Sequence, residues 1–148
     1  MILLLQRVTR AAVRVAGETV ASIGPGLLVF ACVEPDDDAR TIDQAAMKTI
    51  ELRVFADEEG KMNRDVLQAG GEVLAVSQFT LAADLSRGRR PGFGGAARFE
   101  VAEPLFDDYV ATLRAAGARV QTGVFRAAME VELVNDGPAT FHWRTGRR

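Results

Sequence analysis

The sequence predicts an α/β fold, a sheet-rich domain with two main helices laid against the sheet. Three observations lead there. Residues 27–33 and 73–76 are unbroken apolar runs entered from glycine-containing turns, the pattern of strands covered on both faces. Residues 12–15 and 129–134 instead alternate apolar and polar side chains, as strands with one face in water do. Two further stretches, 36–52 and 104–117, repeat apolar residues at helical spacing. With 148 residues, the chain is expected to form one domain over 1–148 that buries about two-thirds of its unfolded surface.

In chain order, residues 2–9 and 12–15 open the sheet, Gly17 supplies a turn, and residues 19–23 return as a hairpin partner. Gly24, Pro25 and Gly26 break the chain before the buried strand at 27–33. Asp36, Asp37 and Asp38 place carboxylates where a helix start favours them, and Ile42, Ala45, Ala46, Thr49 and Ile50 recur through about Leu52. That helix should cover one sheet face. Residues 53–55 read as a short extended piece, and 57–60 as a polar turn. The central strand then follows Gly70 and Gly71. Residues 87–95 are too rich in Gly, Pro and Arg for regular structure and predict a mobile, exposed loop. Their glycines lack the spacing of a dinucleotide or P-loop fingerprint. Pro104 suits the first turn of the second helix and Gly117 its end, with Leu105, Phe106, Tyr109, Val110 and Leu113 as the apolar stripe. Residues 119–125 and 129–134 follow as strands, and 135–140 have the chemistry of a turn joining two strands.

Hydrophobic residues at 48% and charged residues at 26% are ordinary globular values and speak against a disordered chain or a coiled coil. The single Cys32 lies in an apolar run and reads as a buried, inert thiol. The apolar start at 2–5 is too short for a signal sequence or a membrane span, so a soluble cytoplasmic protein is expected. A net charge of −2 argues against one large basic face. Local clusters remain at Arg87, Arg89 and Arg90 and at Arg144, Arg147 and Arg148, each either a phosphate contact or simply solvated. No set of His, Cys and carboxylates has metal-ligand spacing, and His142 is the only histidine; no cofactor or metal is expected.

The chemistry concentrates at the end of the central strand. After the apolar run at 73–76, the polar Ser77, Gln78 and Thr80 arrive where a core strand should be finishing. On a strand pleat, Gln78 and Thr80 would point to one face and Ser77 and Phe79 to the other. Such groups either satisfy neighbouring backbone at a strand end or line a site of hydroxyls, an amide and free backbone N–H groups.

Ser77-Gln78-Phe79-Thr80-Leu81, followed near the carboxyl terminus by Asn135-Asp136-Gly137-Pro138, resembles the D-aminoacyl-tRNA deacylase family, also called D-tyrosyl-tRNA deacylases. The likeness continues through Gln6-Arg7-Val8, Gly24-Pro25-Gly26-Leu27-Leu28-Val29, Gly60-Lys61-Met62-Asn63 and Gly88-Arg89-Arg90-Pro91, nearly the whole chain. Ala139 stands where members commonly have valine, and the tail 142–148 is not one associated with the family.

The resemblance implies a compact, barrel-like α/β fold and a homodimer in which a cis Gly137–Pro138 bond reaches into the partner subunit's site. It implies hydrolysis of the ester of D-aminoacyl-tRNA, with glycyl-tRNA as an achiral substrate, and no cofactor, membrane or DNA. Carbonyls of Gly137 and Pro138 would hold the substrate's α-ammonium, so that an L side chain would meet backbone whatever its identity. Catalysis falls to Ser77, Gln78, Phe79 and Thr80. Phe125 and Met129 would pack the terminal adenosine or simply the core, and Arg7 would brace the Gly-Pro turn. The loop of Arg87, Arg89 and Arg90 is the expected tRNA phosphate contact.

Two mechanisms stay open: Thr80 as nucleophile, for which a base is hard to find, or water positioned by the substrate's own 2′-OH with an oxyanion held by the N–H groups around Phe79 and Thr80. Three other readings also stand. The editing domain of archaeal threonyl-tRNA synthetases shares the fold but belongs to a longer protein and would remove L-serine. Animal relatives with a trans Gly-Pro replace the Ser-Gln-Phe-Thr element kept here. A non-catalytic RNA-binding dimer could use the same pocket.

Overall fold

The computed structural model describes residues 1–146. In order it contains strands β1 (Ile2–Val15), β2 (Glu18–Ile23) and β3 (Gly26–Cys32), helix α1 (Ala39–Glu51), and the short strands β4 (Phe55–Ala56) and β5 (Met62–Arg64). Strand β6 (Glu72–Ser77), a 3₁₀ helix (Phe79–Ala82), helix α2 (Phe99–Ala115) and strands β7 (Arg119–Thr122) and β8 (Glu130–Arg144) complete it. The main sheet runs β2-β1-β3-β6-β7 with β8 also on β1, and it curls into a nearly closed, barrel-like form. β1 is antiparallel to β2, β3 and β8, whereas β3–β6 and β6–β7 are parallel.

The unbroken apolar runs are explained by burial on both faces. Leu27, Val29 and Ala31 of β3 and Val73 and Ala75 of β6 meet Ile42, Ala46, Phe106 and Leu113 of the two helices. Their alternates Leu28, Leu74 and Val76 join Val8, Val13 and Ile23 in a second core on the other face. Between α1 and α2 the Tyr109 hydroxyl lies 2.7 Å from Thr49 Oγ1, which itself donates to the Ala45 carbonyl at 3.0 Å, so both buried hydroxyls are satisfied. The turn into β3 abuts the start of β6. A Cβ on Gly26 would sit 1.9 Å from the Glu72 carbonyl oxygen, which is why glycine stands there.

Asp38 caps α1, accepting from the Thr41 N–H at 2.9 Å and its hydroxyl at 2.8 Å; these bonds lower its pKa. Gly117, at φ +98°, follows the end of α2 in the left-handed region.

Four expectations need correction. Helix α2 begins at Phe99, so Pro104 is inside it instead of in its first turn. Its missing N–H leaves only the solvent-exposed Glu100 carbonyl short of a partner, while burial of Ala102 and Phe106 on either side holds the longer helix together. Residues 135–140 do not join two separate strands: they are a bulge within the single strand β8, which pairs with the long β1 on both sides of them. The pleat predicted through Thr80 stops at Ser77, where the chain turns into the 3₁₀ helix. Arg144 is not part of a free basic tail, since its guanidinium makes paired bonds with the Glu34 carboxylate. Burial would raise the Glu34 pKa, but Arg144 and the Met1 ammonium outweigh it and the net shift is downward. Arg147 and Arg148 lie outside the described residues.

Candidate active site

Strand β6 runs parallel to β3 as far as the Ala31–Ser77 pair, and the Gln78 N–H extends the ladder by one bond, 2.8 Å to the Ala31 carbonyl. Past Gln78, whose φ and ψ are −145° and 79°, the backbone closes into the 3₁₀ helix. Gln78 and Thr80 are nevertheless brought together, with Gln78 Nε2 2.5 Å from Thr80 Oγ1. At this start the N–H groups of Phe79 and Thr80 have no acceptor among the described residues, as the first donors of a helix commonly do not.

Beside this turn opens a pocket of about 370 Å³. Ser77, Gln78 and Phe79 form its polar edge, and Phe99, Phe106, Phe125 and Met129 form its apolar walls. Its rings make a connected series. Phe93 meets Phe79 edge to face at 5.1 Å, Phe79 meets Phe99 at 5.7 Å, and Phe99 meets Phe125 at 6.3 Å. Through Phe93 the Arg-rich loop is therefore attached to the pocket, while Arg87, Arg89 and Arg90 themselves are exposed.

Cys32 also lines the pocket, its thiol 3.6 Å from the Phe79 carbonyl. Burial, then the Glu34 carboxylate, push its pKa up to about 11, so it is a neutral wall group and no nucleophile at neutral pH.

Gly137, Pro138 and Arg7 form a second cluster that does not line this pocket. The register gives it shape: β8 passes from Thr140, opposite Gln6, to Asn135, opposite Val8, so five steps of β8 match two of β1 and the surplus is pushed out of the ladder. Arg7 holds the base of this excursion. Its Nε donates to the Asp136 carbonyl at 3.0 Å and lies 3.0 Å from the Asp136 carboxylate, and its Nη1 donates to the Val54 carbonyl. Asn135 Nδ2 donates to the Arg7 carbonyl at 2.9 Å and to that of Ala139 at 3.3 Å. The Gly137–Pro138 peptide is cis, and both residues are exposed. A Cβ on Gly137 would lie 2.6 Å from Asn135 Oδ1.

His142 belongs to neither cluster and faces a shallow concavity with Glu34 and Arg144. Among the described residues no group of three or more His, Cys, Asp and Glu side chains is placed to hold a metal ion, and no helix is long and apolar enough to cross a membrane.

Sequence reasoning missed Cys32, Phe99 and Arg126 as pocket residues. Cys32 enters because β3 and β6 are parallel neighbours, a pairing with no local signal. Phe99 was hidden by the late helix start placed at Pro104. Arg126 is a non-glycine residue at φ +63°, which its sequence neighbours do not announce.

The Ser77 hydroxyl, the Gln78 amide and Phe79, whose N–H has no acceptor among the described residues, border the apolar pocket, while Thr80 is not in its lining and reaches it through its bond with Gln78. Residues 4–144 match the family model described as D-Tyr-tRNA(Tyr) deacylase, and the chain belongs to that family of hydrolases acting on aminoacyl-tRNA. It is 60% identical over 136 residues to a D-aminoacyl-tRNA deacylase of Symbiobacterium thermophilum, covering 92% of this chain and 90% of that protein. A D-aminoacyl-tRNA deacylase of Shewanella amazonensis is 56% identical over 142 residues, covering 96% and 98%. Among solved structures, one titled c-Myc DNA Unwinding Element Binding Protein superposes with a TM-score of 0.94 at 36% identity, over 99% of this chain and 100% of that one. A probable eukaryotic D-amino acid tRNA deacylase, at 17% identity and a TM-score of 0.82 over 96% and 97%, shares the fold.

Proposed function

We propose that this chain, as one domain, hydrolyses the ester of D-aminoacyl-tRNA to free D-amino acid and tRNA, accepts glycyl-tRNA, and rejects L-aminoacyl esters. One observation carries the reading: a single pocket is bordered by the Ser77-Gln78-Phe79 edge and walled by Phe125 and Met129, in a chain of the deacylase family. The apolar wall suits the terminal adenosine base, and the polar edge suits the ester. The reacting water attacks the ester carbonyl, the N–H groups of Phe79 and Thr80 hold the oxyanion, and the C–O bond to the ribose breaks with a proton returned to the leaving oxygen. Ser77 shapes the edge, the Gln78–Thr80 pair fixes the turn, and the substrate's 2′-OH positions the water. Support for this over a Thr80 nucleophile comes from Thr80 Oγ1, which accepts a hydrogen bond from the Gln78 amide and has no base hydrogen-bonded to it among the described residues to take its proton.

Chiral rejection is assigned to Gly137 and Pro138 of the other subunit in a homodimer. Two features support this: the Gly-Pro backbone is pushed outward, and it stands apart from its own chain's pocket. Arg7 braces it, and the Arg87, Arg89 and Arg90 loop takes tRNA phosphates.

The test is hydrolysis of matched D- and L-tyrosyl-tRNA with excess chelator present. Loss of the D ester alone is expected, with glycyl-tRNA also cleaved; survival of both tyrosyl esters would sink the reading. Within it, Thr80→Ala is expected to slow the D ester less than a terminal 2′-deoxy substrate does. A dead Thr80→Ala enzyme with an unaffected deoxy substrate would transfer the chemistry to Thr80.

A further inference from the structure

Arg126 sits on the rim of the pocket in a conformation that its side chain disfavours. Its φ of +63° is in the left-handed region, which glycine enters freely and arginine does not. Its guanidinium carbon lies 4.7 Å from the centre of the Phe99 ring, the ring that also meets Phe79 and Phe125. No carboxylate among the described residues lies within salt-bridge reach of it. A cation without a carboxylate partner among the described residues thus stands against an aromatic ring of the cavity wall, on a backbone in the left-handed region.

We infer that Arg126 is a substrate-positioning residue that receives the phosphodiester joining the terminal adenosine to the rest of the RNA. The inference rests on the deacylase reading above. The Phe99 ring lies against the guanidinium and no carboxylate partners it among the described residues, and its planar fork matches two phosphate oxygens. Arg126 lines the same pocket as Phe125 and Met129, where the base is placed, and as Ser77 and Gln78, where the ester is placed, and it is exposed, so it is open to an RNA chain leaving that pocket. Arg87, Arg89 and Arg90 lie on an exposed loop and give diffuse attraction, whereas Arg126 is held in one place by Phe99.

The experiment uses two non-hydrolysable probes: the D-tyrosyl amide of 3′-amino-3′-deoxyadenosine, with and without a 5′-methylphosphate. The phosphate is expected to tighten binding to the wild-type protein about tenfold at low salt. The extra affinity should fall with log salt at a slope of about 0.7, the value for one phosphate on a single strand. Arg126→Gly should lose that gain while its melting temperature holds or rises, because glycine fits φ +63° without strain. Arg126→Lys, with the charge but not the fork, should keep part of the gain. Equal binding of both probes by the wild type, or an undiminished phosphate gain in Arg126→Gly, overturns the role of Arg126 and leaves the deacylase reading standing. Binding of neither probe overturns both.

Discussion

Arg7 shows how much one side chain organises. Its guanidinium ties β1 to the Asp136 carbonyl and carboxylate on one side and to the Val54 carbonyl on the other, with only 14% of the side chain exposed. A lysine keeps the charge but cannot reach in two directions at once. Arg7→Lys is therefore expected to lower the melting temperature by several degrees, from the loss of about 1.5–3 kcal/mol per charged hydrogen bond. It should also reduce the ratio of kcat/KM for D- over L-tyrosyl-tRNA by about tenfold. An unaltered ratio alongside a lowered melting temperature would limit Arg7 to holding the fold. At this scale the sequence was partly legible. Ser77 and Gln78 stood out because polar groups interrupt a core strand, and Phe125 and Met129 entered through family likeness. Cys32 and Arg126 did not stand out, because a pocket wall is made by strands distant in sequence and by a backbone angle that no neighbouring residue signals.

Among elements, the 3₁₀ helix is the one that places the site, and it rests on the Gly-rich loop. A Cβ on Gly95 would lie 2.8 Å from the carbonyl oxygen of Ala82, the last residue of that helix, so the helix itself would have to move. Gly95→Ala is expected to cost about 1–3 kcal/mol as overpacking does, and to lower kcat/KM on the D ester about tenfold by shifting Phe79 and Thr80. Gly94→Ala, whose methyl group would meet open space, should stay within about twofold. Equal effects from both would mean that the loop, not its contact with the helix, matters. The helices and buried strands were legible as elements because burial imposes periodicity. What escaped was where elements end. Pro104 was a plausible helix start until the burial of Ala102 showed an earlier turn, and residues 135–140 carry turn chemistry even though β1 is long enough to pair with β8 on both sides of them. A fourteen-residue partner strand decides that, and no local pattern contains it.

For the whole molecule, the separation of the Gly137-Pro138 cluster from the pocket of its own chain bears most on the proposed function. One chain's pocket lacks Gly137 and Pro138, and one chain's Gly-Pro excursion projects from the sheet without a pocket of its own. Beside the pocket, Phe79 and Phe93, packed edge to face, are 41% and 42% exposed, an apolar margin of the kind a partner covers. A two-fold dimer would let each excursion complete the other chain's pocket. Mixing two defective chains decides the matter. In the first, Phe79→Pro removes an N–H assigned to the oxyanion and is expected to slow the pocket by about 10²–10³-fold; in the second, Gly137→Ala crowds the Asn135 side chain and is expected to admit L esters. If the Gly-Pro acts across the dimer, a mixed dimer holds one site with both defects and one site with neither. Chains exchanged with a large excess of the pocket-silenced protein should then lose L-tyrosyl-tRNA hydrolysis, to about a tenth at ninefold excess, while gaining D-selective turnover. If the Gly-Pro served its own pocket, the L activity per Gly137→Ala chain would not change with the excess, and the cross-subunit assignment would fall even though the deacylase activity survived.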